Sequence, residues 1–60
     1  MNKIKNILSH ILNISPVFIQ LLLVEKDEAG ITVIFKNLLT ERKMVIEFDT
    51  DFRLLSYYPL

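Results

Sequence analysis

The chain has 60 residues, enough for one small domain over 1–60 with a single core. Seven basic and seven acidic residues cancel, and cysteine is absent. That excludes disulfides and thiolate metal sites, and it points away from nucleic acid, whose binders carry a clustered basic face. The apolar share of 52% argues against disorder. Yet a chain of this size buries only about 60% of its unfolded surface, which leaves oligomerisation as the available staple.

Residues 3–13 predict an amphipathic helix. Ile4, Ile7, Leu8, Ile11 and Leu12 fall on one stripe, Asn2 serves as N-cap, and Pro16 disfavours helical geometry at Ser15. Lys3 and Lys5 precede no uninterrupted apolar run of the length a secretory signal needs, and 4–24 is too polar for a membrane span. The expectation is a soluble, cytoplasmic protein. Asn13-Ile14-Ser15 matches a glycosylation acceptor, which has meaning only with secretion.

Residues 17–26 admit two readings. Ser15 as N-cap, Pro16 at N1 and Gly30 at C′ would frame a second helix, giving two helices and a three-stranded meander. Against this, Val17, Ile19 and Val24 are β-branched, Phe18 is aromatic and no helical stripe appears, so a strand is favoured. Seven of the eight residues in 17–24 are apolar, so that strand is greasy on both faces. Asp27 to Gly30 then form a hairpin turn, with Gly30 supplying a left-handed conformation.

Residues 31–39 alternate as a second strand and 43–49 as a third. Asp49 to Asp51 make a turn, and 52–58 form the last strand, closed by Pro59. The predicted fold is α+β: an N-terminal helix packed on a four-stranded antiparallel β-meander.

The expected core face carries Ile31, Val33, Phe35, Met44, Ile46 and Phe48. The opposite face receives Ile34, Val45, Leu55 and Tyr57, joined from the first strand by Phe18, Gln20, Leu22 and Val24. A patch of this kind exceeds what monomers usually expose. The first strand is also an edge, with charge only at its far end, Glu25 and Lys26, and such edges invite pairing. A homodimer through these eight residues, edge to edge or sheet on sheet, is the expected outcome. The chain then reads as a protein-interaction module.

Little in the chain points to chemistry. His10 is the only histidine, with Asn6, Ile7, Asn13 and Ile14 as helix neighbours. Asp49-Thr50-Asp51 lacks the remaining ligands of a calcium loop. Glu25, Asp27 and Glu28 belong in or beside a solvated turn, and Ser9, Ser15 and Ser56 have no nucleophile-elbow context. A single glycine permits no phosphate-binding loop. No catalytic, cofactor or metal residue is assigned, and the expectation is a non-enzyme. Lys36, Arg42 and Lys43 with Tyr57 and Tyr58 offer the alternative, a nucleic-acid or small-ligand site on the sheet face. Lys3, Lys5 and the helix stripe offer a membrane-surface element.

Three segments carry a resemblance: Ile31-Thr32-Val33-Ile34-Phe35, Met44-Val45-Ile46-Glu47-Phe48-Asp49 and Arg53-Leu54-Leu55-Ser56-Tyr57. With them, residues 18–58 resemble the small helix-then-meander modules typified by PepSY domains. The chain departs at the last turn, where Phe52 stands in place of the usual glycine. The resemblance implies the same fold and a non-enzymatic, inhibitory or protein-binding role.

Overall fold

The computed structural model describes residues 2–60. A helix, α1, spans Lys3–Leu12. The Asn2 side chain accepts from the amides of Ile4 and Lys5 at 3.0 and 3.2 Å, satisfying donors that the first turn leaves free. Asn13 ends the helix at φ 56, in the left-handed conformation that asparagine tolerates better than most residues. The Ser9 carbonyl accepts from the amide of Ile14, and the Ser9 hydroxyl donates back to the Ile14 carbonyl.

Ser15 and Pro16 do start a helical turn, but only a 3-10 turn over Pro16–Phe18. Strand geometry follows at once. β1 spans Ile19–Lys26, β2 Ile31–Asn37, β3 Arg42–Phe48 and β4 Leu54–Pro59. All neighbours are antiparallel, in the order β1-β2-β3-β4. The rival reading with a second long helix is therefore replaced by the four-stranded meander.

Three short polar side chains close the three hairpins by the same device. Asp27 accepts from the amides of Ala29 and Gly30 at 2.8 and 2.9 Å. Asn37 accepts from Leu39 at 2.9 Å, and Asp49 from Asp51 and Arg53 at 2.8 and 2.9 Å. The Asn37 turn ends β2 two residues before the predicted strand end, so Leu39 leaves the sheet. The Asp49 turn delays β4 to Leu54, so Phe52 is a turn residue rather than a strand residue.

Phe52 adopts φ 62, a region that suits glycine. Its ring packs 5.8 Å from that of Phe48, and the Lys3 ammonium lies 5.0 Å above it. Aromatic packing and a cation over the ring face offset the backbone strain.

Gly30 corrects a second expectation. Its φ is 157, far from the left-handed turn conformation. Glycine is required there by close approach: a Cβ would run into the Phe48 carbonyl oxygen and lie 3.2 Å from the Asp49 Cα.

The core lies between α1 and one face of the sheet. Leu8, Ile19, Ile31, Val33, Phe35, Ile46 and Phe48 form its buried cluster, and Met44 packs against it. The six core residues expected from the strand alternation all lie on this face. Gly30→Ala should destabilise the protein by more than about 1 kcal/mol, because β3 backbone blocks the added carbon. Urea denaturation measures this; an unchanged midpoint would refute the close-approach account.

Candidate interaction surface

The face of the sheet turned away from α1 is ordered by the strand register into three transverse rows. In the first, Gln20 opposes Lys36, and Lys36 opposes Lys43. In the second, Leu23, Ile34, Val45 and Tyr58 follow one another across all four strands. In the third, Glu25, Thr32, Glu47 and Ser56 do so. The face thus has a basic row, an apolar row and an acidic row.

Two β-bulges set this arrangement. One lies between Leu21 and Leu23 in β1, with Leu22 the extra residue. The other lies where β3 Glu47 and Phe48 oppose Ser56 and Leu54, with Leu55 the extra residue in β4. Each bulge shifts the alternation by one. Val24 consequently opposes Val33 on the core side, and Leu23 takes the outward position expected for Leu22 or Val24. Tyr57 likewise opposes Ile46 and stacks on Phe35, with centroids 6.5 Å apart and planes 5° from parallel. Tyr58 replaces it on the outer face.

Of the eight expected interface residues, the structure brings Gln20, Ile34 and Val45 onto the outer face. Leu22 and Leu55 are exposed at the bulges, Val24 and Tyr57 are on the other side, and Phe18 is half-buried in the 3-10 turn. Leu23 and Tyr58 are the members that strict alternation misses. Tyr57 and Tyr58 occupy opposite faces, so they do not make one stacking platform.

Val45 is only 4% exposed, although it stands outside the core cluster beneath α1. Neighbouring side chains on the outer face already cover it. At the ends of its row, Leu23 and Tyr58 remain 42% and 44% exposed. Hydrogen bonding to Glu47, supported by desolvation and the carboxylate charge, holds the Tyr58 phenol above its ordinary value near 10.

Four of the groups that sequence offered to chemistry are engaged in local structure. Asp27 and Asp49 organise turns, Ser9 caps the end of α1 and Ser15 caps the 3-10 turn. His10 is exposed beside an open groove of about 640 Å³ lined by Lys3, Asn6, Ile7, Ile11 and Phe52. Among the described residues, no three His, Cys, Asp or Glu side chains gather into a metal-binding group, and no helix is long and apolar enough to cross a membrane.

No protein-family model, curated protein or solved structure matches the chain. Glu47→Gln should lower the titration midpoint of Tyr58 toward 10, since the substitution removes the charge that disfavours phenolate. Tyrosine ring carbon shifts followed by NMR from pH 8 to 12 would show it; an unmoved midpoint would contradict the Tyr58–Glu47 link.

Proposed function

We propose that the protein is a non-catalytic protein-interaction module that acts as a homodimer in the cytoplasm. The observation that carries this is the apolar row across the outer face, with Val45 covered at its middle and Leu23 and Tyr58 open at its ends. A monomer of this size has one helix, and that helix lies on the other face. Association through the row removes further apolar surface from water at about 25 cal/mol per Å². The gain supplements a small core that no disulfide supports.

Light scattering across a gel-filtration peak should give twice the 7.1 kDa chain mass at high micromolar concentration. Leu23→Lys should weaken association by about ten-fold or more, because it places a charge in the row that would be desolvated. A clean monomer for the unaltered chain would remove the dimer. The opposite reading, a nucleic-acid surface, predicts salt-sensitive binding of a labelled 20-nucleotide RNA through Lys36 and Lys43. The expected result is no binding at low salt.

A further inference from the structure

We infer that the outer sheet face is self-complementary, and that two copies stack face to face with the basic row of each against the acidic row of the other. This rests on the homodimer reading above and specifies its geometry. Lys36 and Lys43 are direct cross-strand neighbours with no acid in their row. Like charges placed opposite one another disfavour an isolated sheet, so the pair calls for an anionic counterpart. Glu25 and Glu47 supply the same amount of negative charge, one row beyond the apolar centre.

The two charged rows flank the apolar row on either side. A two-fold axis lying along the apolar row lays each strand over its own copy, running the opposite way. Apolar row then meets apolar row, Lys43 of one copy lies over Glu47 of the other, and Lys36 lies over Thr32 with Glu25 one strand away. An axis along the strands would instead set lysines against lysines. Charge therefore selects one of the two simple stackings, within the twist-dependent offset of about 30° common to packed sheets. The result is an isologous contact, the kind that closes at two copies.

The experiment uses two variants of the full chain, one Lys36→Glu with Lys43→Glu and the other Glu25→Lys with Glu47→Lys. Each alone makes the face single-signed and should dimerise at least about ten-fold more weakly than the unaltered chain. Mixed in equal amounts, they should form a heterodimer at least as tight as the unaltered homodimer, resolved by native mass spectrometry. If either double variant loses its folded circular dichroism, the single variants Lys43→Glu and Glu47→Lys, which reverse the one directly stacked pair, make the same comparison.

If the unaltered chain is monomeric at 1 mM, both the dimer reading and this inference fall. If it dimerises but the single-signed variants dimerise equally well, the contact lies elsewhere: the homodimer stands and the stacking does not. A mixture no tighter than its components overturns the charge pairing. Preferential heterodimer formation establishes it.

Discussion

The structure depends on α1 seating Leu8 against one face of the meander. Leu8 is the only fully buried side chain that the helix contributes, and it meets the layer made by Ile19, Val33, Phe35, Ile46 and Phe48. Everything else follows from how little one ten-residue helix can cover. It seals the centre of one face, and it leaves Val24, Leu54 and Tyr57 partly open on that same side. The outer face must manage with side chains alone. Residues on that face therefore show what the chain does with surface that its own elements do not reach.

The central strands were legible because both of their faces obey strict alternation. Ile31, Val33 and Phe35 against Met44, Ile46 and Phe48 is a period-two pattern with no competing signal. The segment after Pro16 was harder, and the reason is visible in the structure. The capping signal at Ser15 is genuine and produces one 3-10 turn. The β-branched residues that follow, with no stripe to bury against a partner, prevent that turn from growing into a helix. The bulges were not legible at all. An extra leucine in a run of leucines carries no mark, and Leu55 beside Leu54 carries none either. One residue inserted in each edge strand moved Leu23 and Tyr58 outward and Val24 and Tyr57 inward, which altered half of the expected surface.

Net charge concealed the electrostatics in a similar way. A balanced chain suggests a featureless field, and the interleaving of Glu41 and Glu47 with Lys36 and Lys43 along the sequence reinforces that impression. The fold separates them. Glu41 is drawn into the Asn37 turn at φ 59, away from the ladder. Glu47 lies four residues beyond Lys43 on the same face, which in a strand is two rows away. Within a net charge of zero, two lysines and two glutamates are thus sorted to opposite sides of one surface. Such a surface repels an extended polyanion at one side as it attracts it at the other, but it fits its own inverted image.

The same bulges bear on where a second copy would sit. Continuous pairing along an edge needs a regular row of free backbone groups, and β1, the edge that looked most open to it, is interrupted at Leu22. The opposite edge, β4, is interrupted at Leu55 and ends in Pro59, which has no amide hydrogen to donate. Bulges and proline are the features by which edge strands resist adding another strand. The greasy run in β1 therefore gains its meaning through the face. Its bulge weakens the edge as a template and, by the same one-residue shift, delivers Leu23 to the end of the apolar row.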